Sequence, residues 1–411
     1  MSEPQDLLQK LRGIQERRAA MGTAPVPGAT VIERVLGPNE VVIGGRPTLM
    51  FGSNNYLGLT HHPRVLAAAR DALAVYGAGT TGSRAANGTF AIHEELERAF
   101  AEWFGKRHAL IFSTGYQANL SLIGGLCGPG DVILIDSDSH ASIYDATRQT
   151  AAQVIGFRHN SPDSLRRKLE RLPPGRNRLV VVEGLYSIRG DVAPLKEIVA
   201  VCREHGAYLL VDEAHSLGTF GPRGLGCAEA QGVLDEVDFI VGTFSKSLAG
   251  LGGVCVSNHG ELTSLHFLAR AYVFTASGSP SNIASVREAI AVIRDQPELR
   301  EELWANVRRL RCGLAELGFT LEPTESPIVA IATGEEALTI RLWQALLLEG
   351  VYVNLIVPPG CPRDACVLRA SCSAAHTPGQ IARAIDIFAR VAAAFGLGTT
   401  SARIDATSTV V

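Results

Sequence analysis

Asp238-Phe239-Ile240-Val241-Gly242-Thr243-Phe244-Ser245-Lys246-Ser247 is a short apolar run that stops at a lysine set between two serines. Such a run reads as a β-strand, and its ending places an amine at the strand terminus. Partial burial there lowers the pKa of the amine and frees its lone pair for attack on a carbonyl. A solvated loop lysine has the same local sequence, so the surrounding chain has to decide.

Six more runs of this kind flank it. They are His108–Thr114 (HALIFST), Asp131–Asp138 (DVILIDSD), Gln153–His159 (QVIGFRH), Arg178–Gly184 (RLVVVEG), Ala207–His215 (AYLLVDEAH) and Gly252–Asn258 (GGVCVSN). Helical patterns such as PRVLAAARDALAVY (63–76) and HEELERAFAEWFG (93–105) precede or separate them. Continuous apolar runs alternating with helices predict an α/β fold, a mostly parallel central sheet covered by helices on both faces. Ligands in such folds gather at the C-terminal ends of the strands. Here those ends carry Ser113-Thr114-Gly115, Asp136 to His140, Glu183-Gly184, Asp212 to His215 and Thr243 to Lys246, so the polar chemistry falls on one rim.

After Pro280 two long helical stretches, short strands (327–333, 351–357, 366–372) and a final helix (377–396) predict a smaller α+β domain. The expected division is an N-terminal helix and arm (1–50), a large domain (51–280), a C-terminal domain (281–397) and a disordered tail (398–411). Within the arm, Leu7, Leu8, Leu11 and Ile14 recur at helical spacing, which predicts an amphipathic helix packed on a neighbouring surface.

The chain has 411 residues, 46% of them hydrophobic, and a net charge of −3 with Lys and Arg scattered singly. No electrostatic footprint for nucleic acid is present, and the expected partner is a small molecule. Eight dispersed cysteines without a CxxC pair, and a start without an apolar leader, predict a reduced, cytoplasmic protein. No apolar run reaches the roughly 18 residues of a membrane span, so any bilayer contact is expected to be peripheral.

Gly77-Ala78-Gly79-Thr80-Thr81-Gly82 matches GxGxxG but follows a helical pattern where a dinucleotide site needs a strand. The glycines are expected instead to allow close backbone approach. Ser113 to Asn119 joins a strand to a helix through Gly115, which suits either a phosphate on the helix amides or a plain capped turn. Asp136, Asp138 and His140 share a face of an extended segment, yet nothing nearby in sequence completes a ligand set, and no metal is expected. His140 serves better as an aromatic plate against a planar ligand. Asp212 ends a buried run, where a carboxylate is costly unless a cation or donors meet it. Taken together, a phosphate cradle, an aromatic plate, a buried carboxylate, a nearby His215 and a strand-end lysine describe a pyridoxal 5'-phosphate site. In it Lys246 captures the carbonyl, Asp212 holds the pyridinium proton and His215 bonds the phenolic oxygen.

The chain resembles the α-oxoamine synthases of the fold-type I pyridoxal phosphate enzymes from residue 50 to about 395. The resemblance is carried by FGSNNYLGLTHHP (51–63), GAGTTGSRAANGTFAIHEELE (77–97), FSTGYQANL (112–120), VVEGLYSIRGD (181–191), LVDEAHSLGTFGPRGLG (210–226), VGTFSKS (241–247) and LRASCSAAHTP (368–378). GSRAANGTF, HASIYD (140–145), FRHNS (157–161) and YVFTAS (272–277) lean to the branch acting on serine and long-chain acyl thioesters. The resemblance implies a fold-type I transferase fold. It also implies that the amides of Gly115 and Tyr116 and the hydroxyls of Thr243 and Ser245 hold the phosphate. Thr275 would reach the phosphate of the other subunit of a homodimer with shared active sites. His140 would stack on the ring, and Asn55 and Arg369 would bind the substrate carboxylate, a task suited to the two-pronged guanidinium. Relatives of that branch carry an arginine before the Pro-Pro of this region, where this chain has Val357. The implied reaction is decarboxylative condensation of an amino acid, serine in that branch, with an acyl group on CoA or acyl carrier protein, giving 3-ketodihydrosphingosine. The alternatives within the family are 8-amino-7-oxononanoate synthase and glycine C-acetyltransferase, which use alanine or glycine.

Overall fold

The computed structural model describes residues 6–20 and 30–397. The strands are β1 (Arg34–Gly37), β2 (Glu40–Ile43), β3 (Arg46–Met50), β4 (His108–Phe112), β5 (Val132–Asp136), β6 (Gln153–Phe157), β7 (Arg178–Glu183), β8 (Tyr208–Asp212), β9 (Phe239–Thr243), β10 (Gly253–Ser257), β11 (Ile328–Gly334), β12 (Val351–Tyr352), β13 (Asn354–Ile356) and β14 (Cys366–Ser371). The helices that matter for the site are the early ones: α1 (Gln9–Ala20), α2 (Pro63–Tyr76), α3 (Ala91–Phe104), α4 (Gly115–Leu126) and α5 (Ala141–Arg148).

Each of the seven apolar runs became a strand of one sheet, in the order β4-β10-β9-β8-β7-β5-β6. β6, β5, β7, β8 and β9 run parallel, and β10 is antiparallel to both β9 and β4. The sequence reads as continuous apolar runs because both faces are covered. Val180 and Val182 of β7 enter one hydrophobic cluster, while Leu179 and Val181 enter another on the opposite face. In-register pairing of Glu183 with Asp212 brings the ends of β7 and β8 level, so the residues after them open onto one rim.

Residues 34–50 do not stand apart as a lead-in arm. β1, β2 and β3 form an antiparallel meander whose last strand pairs in parallel with β12, giving the order β1-β2-β3-β12. β11, β14 and β13 form a small antiparallel sheet, with Arg369 of β14 opposite Asn354 of β13. A hydrophobic pattern shows that these pieces are strands but does not name their partners, and the partner of β3 lies about 300 residues away in sequence.

The Gly77–Gly82 stretch follows α2, so the strand that a dinucleotide site needs is absent from it. It lies in the loop between α2 and α3, where the Gly82 carbonyl accepts from the Ser277 N–H at 3.0 Å. α1 is helical, but Leu7, Leu8, Leu11 and Ile14 on and before it are 95%, 55%, 56% and 48% exposed in the single chain. The stretch expected as a tail, 398–411, lies outside the described residues.

Candidate active site

A cavity of about 350 Å³ opens at the C-terminal ends of the parallel strands, against the first turn of α4. Its wall includes Asn54, His140, Glu183, Asp212, His215 and Lys246. Gly115, Tyr116, Thr243 and Ser245 line the same space. A second cleft, of about 340 Å³, lies at the opposite end of the sheet between Arg178, Tyr208 and His259, away from these groups.

The phosphate-type corner is built by β4, α4 and β9. Thr114 caps α4 by accepting from the Gln117 N–H, leaving the first amides of the helix directed at the cavity. A Cβ on Gly115 would stand 2.8 Å from Cβ and 2.9 Å from Oγ1 of Thr243, so only glycine lets this helix end meet β9. Thr243 Oγ1 is 3.0 Å from Ser245 Oγ and donates to the Gly252 carbonyl. The Tyr116 hydroxyl donates to Asp145, and its ring stands edge-on to His140 at 6.3 Å.

Asp212 is buried and takes one donor on each oxygen, which leaves acceptor capacity for another: Asn119 Nδ2 donates to Oδ2 at 2.7 Å, and the Ala214 N–H donates to Oδ1 at 2.9 Å. Lys246 follows β9. Desolvation lowers its amine to about 8, opposed by the carboxylates of Asp212 and Glu183. Desolvation, then the charges of Lys246, Arg369 and His140, holds His215 well below the usual histidine range, and its Nδ1 lies 2.8 Å from the Tyr56 hydroxyl. His140 caps α5 and faces the cavity; burial against its neighbours lowers its pKa, with Asp212 and Lys246 pulling in opposite directions.

Arg369 is 4% exposed. It donates to the Ser187 carbonyl (2.5 Å), Ser371 Oγ (2.9 Å), Asn54 Oδ1 (3.1 Å) and the Tyr56 hydroxyl (3.3 Å). Every one of these acceptors is neutral. Among the described residues no carboxylate pairs with this cation, which is an unusual condition for a buried guanidinium. Arg369 reaches the cavity only through Asn54 and Ser187, and two more expected residues lie elsewhere. Asn55 bonds Thr60 Oγ1 at 2.8 Å, and its neighbour Asn54 lines the cavity instead. Thr275 is not in this cavity; it accepts from Gln117 Nε2 at 3.1 Å and lines a separate small cleft with Ser113 and Tyr272. Val357, just past β13, bonds through its carbonyl to the Gly360 N–H.

Sequence reading gave no role to Glu183, Asn119, Ser142 or His159. Glu183 ends β7 as Asp212 ends β8, and it accepts from the main-chain N–H of His140 at 2.5 Å. Burial, then the nearby Asp212, raises its carboxyl well above the usual range. The signal for it was present, since a carboxylate closes an apolar run in RLVVVEG. The imidazole next to Asp136 and Asp138 is His159, not His140. It bridges Asp136 at 2.8 Å and Asp191 at 2.5 Å. Although its partial burial works against the charge, these two bonds raise it to about 10.

Residues 46–388 match the family described as aminotransferase class I and II. The chain belongs to that family. Within it, the chain is 51% identical over 367 residues to the serine palmitoyltransferase of Caulobacter vibrioides (strain NA1000 / CB15N), covering 89% of this chain and 91% of that one. It is 46% identical over 396 residues to the serine palmitoyltransferase of Sphingomonas paucimobilis, covering 95% and 94%. A high-resolution structure of SPT with PLP internal aldimine superposes with a TM-score of 0.94 at 45% identity, over 96% of this chain and 100% of that one. The matched stretch includes the whole seven-stranded sheet and Lys246. These relatives show that proteins named as acyltransferases share that frame.

Proposed function

We propose that this protein is a pyridoxal-phosphate-dependent acyltransferase. It joins the α-carbon of L-serine to the acyl group of a long-chain thioester, with loss of CO₂ and release of the thiol, giving 3-ketodihydrosphingosine. One observation carries the reading: a single cavity gathers a low-pKa lysine, a buried carboxylate and free helix amides, with an anion-seeking arginine in contact with its lining residues Asn54 and Ser187.

The residues fit the cofactor. The amides of Gly115 and Tyr116 with the hydroxyls of Thr243 and Ser245 suit a phosphate. Asp212 suits a pyridinium N–H, and Asn119 Oδ1, buried without a partner beside it, has an acceptor to offer. His215 suits a phenolic oxygen, and Lys246 would hold the aldehyde carbon. When bound, pyridoxal phosphate supplies an electron sink for the α-carbon of the amino acid.

The chain's own side chains account for the remaining requirements. With a pKa of about 8, Lys246 has a substantial neutral fraction near pH 7.5 and accepts the α-proton on Nζ. His140 covers the cavity and orients the substrate, and Arg369 receives the amino-acid carboxylate as the missing counter-charge. With Val357 standing where the serine-acting branch carries an arginine, the proposed carboxylate contact rests on Arg369. Thr275, outside this cavity, serves the phosphate of a second subunit, which makes the working form a homodimer. The described residues include no helix long and apolar enough to cross a membrane, and we place the enzyme in the cytoplasm with at most peripheral contact with the bilayer that holds its product.

The test is incubation of the purified, cofactor-loaded protein with L-serine and palmitoyl-CoA, with mass spectrometry for the long-chain α-amino ketone. Turnover of glycine or alanine in place of serine overturns the substrate assignment. Absence of any acyl transfer overturns the reaction class.

A further inference from the structure

The orientation of the hydrogen bonds around His140 follows from the chemistry of the groups that make them. Asp212 is an acceptor only, so the Asn119 atom 2.7 Å from its Oδ2 is the amide nitrogen. The same Nδ2 lies 2.9 Å from Ser142 Oγ, and its two hydrogens serve both neighbours. Ser142 Oγ therefore accepts from Asn119 and keeps its own hydrogen for His140 Nδ1, 2.8 Å away. The Ser142 main-chain N–H also points at Nδ1, at 3.2 Å. An imidazole nitrogen that receives two donors carries no proton.

We propose that Asn119 and Ser142 are positioning residues, which force His140 to meet its ligand as an Nε2–H hydrogen-bond donor. Asp212 is the far end of this one-way chain. It anchors the donor that fixes Ser142, so the carboxylate expected to hold the cofactor ring also sets the tautomer of the residue above it. Asn119 and Ser142 are each 1% exposed, which shields the chain from competing water.

Two consequences follow. With its proton on Nε2, His140 has no lone pair facing the cavity, so it donates to a ligand oxygen, and removal of the α-proton falls to Lys246. An imidazolium would need a proton on Nδ1, facing the Ser142 N–H and a hydroxyl already committed as a donor, so the chain also resists protonation of the ring. The other groups around the ring are Asp212 from β8, Glu183 from β7, Lys246 after β9, His215 and the Tyr116 ring from α4. Asp212 favours the charged ring and Lys246 opposes it.

The identity of the ligand oxygen, a carboxylate or a thioester carbonyl, rests on the proposed reaction; the tautomer belongs to the polypeptide alone. The experiment is nitrogen-15 NMR of the full-length protein labelled at histidine, with and without added pyridoxal phosphate, His140 being assigned through His140→Gln. The wild type is expected to show the Nε2–H pattern and to titrate below an ordinary histidine. Ser142→Ala and Asn119→Ala should each raise the midpoint by about half to one pH unit, and Ser142→Thr, which keeps the hydroxyl, should restore it. The Ser142→Ala and Ser142→Thr pair carries the comparison if Asn119→Ala fails to fold. An Nδ1–H ring in the wild type overturns the proposal, as does an unchanged midpoint and tautomer in folded Ser142→Ala. A chain that fails to bind pyridoxal phosphate yet shows the Nε2–H ring leaves this proposal standing and removes the proposed reaction.

Discussion

Lys246 and Arg369 illustrate opposite treatments of a cation. Desolvation pushes the Lys246 amine down to about 8, so its neutral fraction grows tenfold per pH unit below that value and levels off above it. The rate of pyridoxal phosphate capture by cofactor-free protein, followed by visible absorbance, should therefore rise with pH to a plateau above about 8. A rate still climbing tenfold per unit at pH 9, with no plateau, would show the amine to be unperturbed at its ordinary 10.5. Arg369 is held by neutral oxygens only. Arg369→Ala should remove a charged hydrogen-bond contact of about 1.5–3 kcal/mol, a roughly 10- to 100-fold rise in KM for the amino acid. KM for the acyl thioester should change little, and an equal effect on both substrates would point to a general structural defect.

At the level of elements, the site depends on two close fits that residue types alone do not announce. The first is α4 against β9, where the missing Cβ of Gly115 admits Thr243. Gly115→Ala should force the helix end off β9 and weaken cofactor binding at least about tenfold, read as a dissociation constant by fluorescence titration. The second is the loop from β5 to α5, which carries His140. Asp136 at its root accepts from the main-chain N–H groups of Asp138 and Asn160 and from His159, which also grips Asp191. The folded-state pKa of His159 lies at about 10, above its ordinary 6.5, so its contribution to stability is complete below pH 6.5 and is lost as pH rises to about 10. His159→Gln should lower the melting temperature, with the gap to wild type widest near pH 6.5 and closing towards pH 10. A gap independent of pH would mean that His159 is neutral throughout.

At the scale of the whole molecule, two groups of exposed apolar residues bear on the proposed homodimer. Leu7, Leu8, Leu11 and Ile14 lie at the N-terminal helix, and Phe267, Leu268 and Phe274 precede Thr275. Purified protein should sediment at twice the chain mass of 43.7 kDa, and Thr275→Val should weaken cofactor binding without shifting that mass. A monomer that binds cofactor normally would remove the shared site. Much of this molecule was legible in sequence. The seven strands of the large sheet, the rim that collects Gly115, His140, Asp212, His215, Thr243 and Lys246, and the exclusion of a dinucleotide site at Gly77–Gly82 all follow from local patterns. A strand buried on both faces must be apolar throughout, and a polar group at its end must have a use. Only the tertiary structure could join β3 to β12, choose Asn54 over Asn55 for the cavity, replace His140 by His159 beside Asp136 and Asp138, and string Asp212, Asn119, Ser142 and His140 into one directed chain. Those choices depend on distances between segments remote in sequence and on which donors remain unmatched once the chain has packed, and neither is encoded in the periodicity of any single stretch.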